Sequence, residues 1–195
     1  MKRTCDLVAA SVGLVLLSPL LLAIAVLVWL DAGRPILYRG VRTGLQGRPF
    51  QILKFRTMVV DAEQRGGGST AKDDPRVTRL GRLLRHHKLD ELPQLINVVR
   101  GDMSIVGPRP ELPQYTALYT DEERAILSVR PGITDIASLE FIRLSDVLGN
   151  DDPDLVYETR VRPIKNALRV EYVRTHSLGG DFRLVVRTLA KLFAR

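Results

Sequence analysis

Residues 7–30 (LVAASVGLVLLSPLLLAIAVLVWL) carry no charge, and only Ser11, Gly13, Ser18 and Pro19 interrupt the apolar side chains. A run of that length and polarity is a membrane segment. As a helix its 24 residues reach about 36 Å, enough for the ~30 Å hydrocarbon core. A cleaved signal peptide fits less well, because its apolar region is shorter and the one small-residue candidate, Ala23-Ile24-Ala25, is followed by more apolar chain. Lys2 and Arg3 precede the run while Arg34, Arg39, Arg42 and Arg48 follow it, so the positive-inside tendency favours both ends in the cytoplasm. Pro19, at the middle, removes a backbone donor and clashes with the preceding turn, and Ser18 is placed to satisfy a freed backbone group. Two arrangements stay open on these grounds: a helix–break–helix hairpin that enters and leaves by one face, and a kinked spanning helix.

The remaining pattern predicts an α+β, mainly helical domain. Residues 35–57 hold two β-prone stretches around Gly44 and Gly47, which predicts a small β-hairpin. Residues 62–75 (AEQRGGGSTAKDDP) form a Gly-rich connector that lacks the Gly-Lys-Ser/Thr ending of a P-loop. A helix is expected from Val77 toward Leu92, stopped by Pro93, with Arg76, Arg79, Arg82 and Arg85 as a basic stripe beside Leu80, Leu83 and Leu84. Residues 92–113 mix a short apolar run with a Gly-Pro-Arg-Pro turn, and Thr120 to Val129 reads as a helix with an acidic first turn. Residues 181–195 place Arg183, Arg187, Lys191 and Arg195 four apart, a basic amphipathic helix suited to the headgroup plane. With no internal repeat, the chain divides into a membrane foot, 1–31, and one domain, 32–195.

Composition narrows the class. At 195 residues, 45% hydrophobic and 26% charged, the chain buries a core without a metal or disulfide staple, and disorder is excluded. Cys5 is its one cysteine. The net charge of +7 is unevenly spread: residues 32–90 hold 13 Lys or Arg against 5 Asp or Glu, and residues 91–195 hold 14 against 15. The basic part adjoins the membrane segment, where anionic headgroups attract each cation by about 1 kcal/mol. It equally suits a phosphorylated substrate and, on charge alone, nucleic acid.

Few residues can carry chemistry. Asp90-Glu91 is a carboxylate pair in a segment crowded with cations, which hold carboxylates ionised. Neighbours on a regular helix point about 100° apart, so the two are not expected to share a proton; dividing labour, one attacking and one holding a metal, is one reading. The plainer alternative is helical ion pairing to Arg85 or Lys88. His86-His87 lacks the i, i+4 spacing of helical metal ligands. Arg109, between Pro108 and Pro110, is rigidly presented and suits either a phosphate contact or a structural turn.

The runs KFRTM (54–58), DPRVTRLGRLLRHHKLDELPQLINVVRGDMSIVGPRPE (74–111) and RPGIT (130–134) resemble the bacterial sugar transferase family, the monotopic phosphoglycosyl transferases that act on polyprenol phosphate. Ser18-Pro19 in the apolar segment and EYVRTHSLGGDFRLVVRTL near the C-terminus extend the resemblance over nearly the whole chain, in its minimal catalytic form. The resemblance implies a re-entrant helix hairpin broken at Ser18-Pro19, interfacial amphipathic helices, and a catalytic domain facing the cytoplasm at the bacterial inner membrane. The implied reaction moves a sugar 1-phosphate from a UDP-sugar to undecaprenyl phosphate and releases UMP, a first membrane step of surface glycan synthesis. Asp90 corresponds to the nucleophile of a covalent sugar-phosphoryl intermediate, Glu91 to the Mg²⁺ ligand, and Lys54, Arg85 and Arg109 to phosphate-contacting cations. Arg143 corresponds to a further substrate-contacting arginine. After Thr134, where many members continue Gly-Trp-Ala-Gln, this chain reads DIASLEFIRLSDVL, which leaves the sugar unassigned. The implied partners are donor, acceptor and membrane lipids, with no nucleic acid; a homodimer is left open. A membrane-anchored nucleic-acid binder or a noncatalytic scaffold would need neither Asp90, Glu91 nor Mg²⁺, and a nucleic-acid binder would lose affinity steeply with salt.

Overall fold

A computed structural model describes residues 1–62, 74–141, 144–148 and 152–193. The apolar run forms the first element, α1, Lys2–Ala32. The helix continues through Pro19, so the interruption expected at Ser18-Pro19 is absent as a loss of helical structure. The local chemistry explains this: Pro19 has no N–H for the Val15 carbonyl, and Ser18 Oγ donates to that same oxygen at 2.7 Å.

One stripe of α1 faces the protein. Asp6, Ala10, Ile24 and Val28 are buried, whereas Val15, Leu16, Leu22 and Leu30 on other faces are about 70% exposed. Ala10 packs with Ile52, Val98 and Met103, and Ile24 and Val28 pack with Phe55 and Leu84. Both ends are tied to the same body. At the start, Lys2 pairs with Asp181, Arg3 donates to the carbonyls of Val98 and Val99, and Asp6 accepts from Ser104 Oγ and the Ile105 N–H. At the other end, Arg56 donates to the carbonyls of Ala32 and Gly33.

Beyond α1, the predicted hairpin is present: β1, Leu37–Thr43, pairs antiparallel with β2, Pro49–Phe55, in the register Leu37↔Phe55 to Thr43↔Pro49. Gly47 (φ 76°) and Gln46 (φ 55°) supply the left-handed residues of the turn. The helix expected over 77–92 is shorter. Thr78 caps α2, Arg79–His86, by accepting from the Gly81 N–H. Lys88 then takes a left-handed conformation, φ 58°, which ends the helix and throws Leu89–Glu91 into a separate 3₁₀ turn before α3, Gln94–Arg100. Gly81 sits against the segment that follows β2, where an added Cβ would lie 2.1 Å from the Thr57 carbonyl oxygen. Gly81→Ala is therefore expected to lower the unfolding midpoint, by about 1–3 kcal/mol of stability, measured by thermal unfolding in detergent.

The chain continues through β3, Ser104–Val106, α4, Pro113–Thr116, a 3₁₀ segment Glu123–Ser128, and β4, Gly132–Thr134. The helix expected over 120–129 is this tighter turn, opened by reciprocal bonds between Thr120 and Glu123. β3 and β4 run parallel, Ser104↔Gly132 and Val106↔Thr134, bringing GPRP and RPGIT side by side. α5, Ile136–Glu140, α6, Leu144–Leu148, and α7, Pro153–Val156, follow. A π turn, Tyr157–Val161, leads into α8, Arg162–Thr175. The expected C-terminal amphipathic helix is α9, Leu178–Phe193, with Phe182, Val186 and Leu189 exposed beside Arg183 and Arg187.

Candidate active site

Because Lys88 breaks the helix, Asp90 and Glu91 are both buried, at 6% and 8% exposure, and neither forms the helical ion pair to Arg85 that their spacing allowed. Glu91 lies between two elements brought from 37 and 18 residues away. Lys54, on β2, donates to Glu91 Oε1 at 3.0 Å. Arg109, in the Pro108–Pro110 turn, holds the carboxylate with both terminal nitrogens, one of them 2.9 Å from Oε2. Burial alone would raise the Glu91 carboxyl, but Arg109 and then Lys54 outweigh it and hold Glu91 well below the usual carboxylate range.

Asp90 has the opposite environment. Burial, and then the Glu91 charge, push its carboxyl up, against the pull of Lys54, Lys88 and Arg85. Its Oδ1 is buried with no hydrogen-bond partner among the described residues. Arg85 reaches the same region from α2 and is fixed by donation from Nε to Thr57 Oγ1, 2.8 Å; its half-burial lowers the guanidinium pKa, with Asp90 opposing. The structure thus brings Lys54, Arg85, Asp90, Glu91 and Arg109 together. Arg143 lies outside the described residues. His86 and His87 are exposed at the end of α2, their rings edge to face at 4.8 Å.

Among the described residues no group of three or more His, Cys, Asp or Glu side chains could hold a metal unaided. The donor set still fits Mg²⁺, which is commonly bound by one or two carboxylates together with substrate phosphates and water. Glu91 Oε2 accepts one hydrogen bond, from Arg109, and keeps a lone pair, while Asp90 Oδ1 accepts none.

Behind Arg109 stand residues that the sequence did not single out. The Arg109 backbone N–H donates to Asp135 Oδ2 at 2.9 Å, and Asp135 caps α5 by accepting from the Ser138 N–H. Arg169, fully buried on α8, donates to Asp135 (3.1 Å) and to Glu111 Oε1 (2.6 Å). Glu111 also accepts from Tyr157 Oη at 2.6 Å. Glu111 closes the GPRPE run and Asp135 follows RPGIT directly; adjacency to these motifs was the one local signal they offered.

Fold and site together define a domain with a buried carboxylate–cation centre beside one helix, Lys2–Ala32, that is long and apolar enough to cross a membrane. The chain belongs to the bacterial sugar transferase family, whose model matches residues 1–195. It is 40% identical to the UDP-glucose:undecaprenyl-phosphate glucose-1-phosphate transferase of Caulobacter vibrioides over 98% of this chain and 69% of that protein. It is 37% identical to the Escherichia coli protein of the same description, over 99% of this chain and 40% of that one. A UDP-N-acetylgalactosamine-undecaprenyl-phosphate N-acetylgalactosaminephosphotransferase of Aeromonas hydrophila is 38% identical over 96% of this chain and 42% of its own length.

Proposed function

We propose that the protein transfers a sugar 1-phosphate from a UDP-sugar to undecaprenyl phosphate through a covalent aspartyl intermediate. The observation that carries this is the contrast within one carboxylate pair: Glu91 is held ionised by Arg109 and Lys54, while Asp90 is buried beside it with an oxygen that has no hydrogen-bond partner among the described residues. Relatives that act on UDP-sugars and undecaprenyl phosphate support the substrate classes.

In the first step an Asp90 carboxylate oxygen attacks the phosphorus next to the sugar. A P–O bond forms, the bond to the neighbouring phosphate breaks, and UMP leaves with the electron pair. Arg109, Lys54 and Arg85 face the oxygens on which charge develops, and donors fixed in advance are effective there. Glu91 would hold Mg²⁺, and the ion would supply charge neutralisation for the diphosphate. In the second step a phosphate oxygen of the polyprenol phosphate attacks the same phosphorus and Asp90 departs as carboxylate. Burial suits this cycle because it keeps water from the acyl-phosphate.

The acceptor reaches the centre from the bilayer. Both ends of α1 are bound to one body, which favours a re-entrant foot over a spanning helix, with the catalytic domain facing the cytoplasm. The exposed apolar face of α9 extends the lipid contact. In Cys5→Ser protein, single cysteines placed at Met1 and Gly33 are expected to label from the cytoplasmic side only; labelling of the two from opposite sides overturns the re-entrant arrangement.

Incubated with Mg²⁺ and UDP-sugars but no acceptor, the protein is expected to gain the mass of a sugar phosphate, read by intact mass spectrometry. UMP release with acceptor present but no adduct under rapid quench would point to direct transfer and remove Asp90 as nucleophile.

A further inference from the structure

We infer that Arg169 is a positioning residue for the reaction: through Asp135 and Glu111 it fixes the Pro108–Glu111 turn so that the Arg109 guanidinium meets Glu91 with both terminal nitrogens. The inference rests on the transferase function proposed above for its catalytic consequence, and on geometry alone for the positioning.

The turn is gripped from two sides. On one side, Asp135 Oδ2 accepts both the Arg109 backbone N–H and Arg169 Nε. On the other, Glu111 Oε1 accepts Arg169 Nη1 and Tyr157 Oη, while the Glu111 carbonyl accepts the Thr43 N–H of β1 at 3.0 Å. The backbone is held as well, Pro108 O by the Gly132 N–H and Thr134 O by the Gly107 N–H, each at 3.0 Å. One rigid fork therefore bridges Glu111, two residues past Arg109, and Asp135, which accepts the Arg109 N–H, and its exposure is 0%, so it touches no substrate. An arginine suits this place: its planar donors reach two carboxylates in fixed directions, which a lysine ammonium cannot reproduce. It also neutralises the two buried carboxylates that grip the turn. Lys165, between the Phe141 and Tyr157 rings at 5.7 and 5.4 Å, adds charge to the network without reaching the turn's backbone.

Two measurements on the full chain in lipid nanodiscs test this. The first is the nitrogen NMR of the arginine guanidinium groups, assigned by R109K. Wild type is expected to show restrained Arg109 Nη signals, and R169K and E111Q are expected to average them; signals unchanged in folded R169K or E111Q overturn the inference. E111Q covers the case in which R169K does not fold. The second is a kinetic cycle. R169K is expected to lower kcat/KM for the UDP-sugar roughly tenfold or more, and to have no further effect in an R109A background. An equal loss in both backgrounds means a merely structural arginine and overturns the inference. If wild type releases no UMP from any UDP-sugar, the proposed function fails, while the NMR experiment still decides the positioning.

Discussion

Asp90→Asn is expected to abolish sugar-phosphate transfer, by at least about 10⁴-fold, the scale on which enzymes lose rate when a nucleophile is removed. The amide keeps the size of the side chain but cannot form the acyl-phosphate. No adduct mass should appear with any UDP-sugar, and membrane insertion should be unchanged because Asp90 contacts no part of α1's anchoring. The fold should be as stable or more stable. A carboxyl whose pKa is raised on folding binds its proton more tightly in the native state, so ionisation costs stability as pH rises through the window from its unfolded value to the folded one. That cost grows as pH rises through this window, and Asn removes it. The same displacement places the acid limb of wild-type kcat/KM above the ordinary aspartate range, because the nucleophile must be ionised. Full transfer by the variant would remove Asp90 from the mechanism.

Glu91→Gln is expected to damage both fold and activity. It leaves Lys54 and Arg109 buried and uncompensated, and breaking a buried ion pair from one side costs about 3–5 kcal/mol. Three features of Glu91 make the upper part of that range reasonable: two cationic partners, a two-nitrogen contact from Arg109, and near-complete burial. Transfer should fall by about 10²-fold or more, the effect of removing one fixed charge partner from a transition-state cradle. The pH dependence has the sign opposite to that of Asp90. The Glu91 pKa is depressed on folding, so its stabilisation is present above the unfolded value, near 4.3, and is lost as pH falls toward the folded value. Chemical denaturation of wild type at pH 7 and pH 4 should therefore differ by more than it does in the variant. A variant as stable as wild type at pH 7 would mean that the ion pairs contribute nothing.

The two carboxylates show where sequence reasoning reached its limit. Charge crowding identified the pair and the family motif assigned the roles, but spacing favoured helical ion pairs to Arg85 and Lys88. The helix that would have made those pairs ends because a lysine takes φ 58°, a conformation that costs a non-glycine residue roughly 1 kcal/mol and that no residue-type preference announces. Local periodicity was enough for the apolar character of α1, for the β1–β2 hairpin and for α9, because each is patterned within its own residues. The Asp135–Arg169 and Glu111–Arg169 pairs join residues 34 and 58 positions apart, and nothing in the spacing of one chain brings them together. Pro19 shows the reverse: the side-chain repair by Ser18 was legible, yet the repair preserves helical continuity where an interruption was expected.

The double tethering of α1 also bears on how the molecule responds to its lipid. A lone spanning helix accommodates a thicker or thinner bilayer by tilting, at a cost of fractions of a kcal/mol per ångström of mismatch. Here the helix is clamped through Arg3 and Asp6 at one end and through Arg56 at the other, so it cannot tilt without carrying the Glu91 centre with it. If the foot is re-entrant as proposed, acyl-chain length is expected to act on the whole protein as a rigid float, setting the height at which it rides in the leaflet rather than its internal geometry.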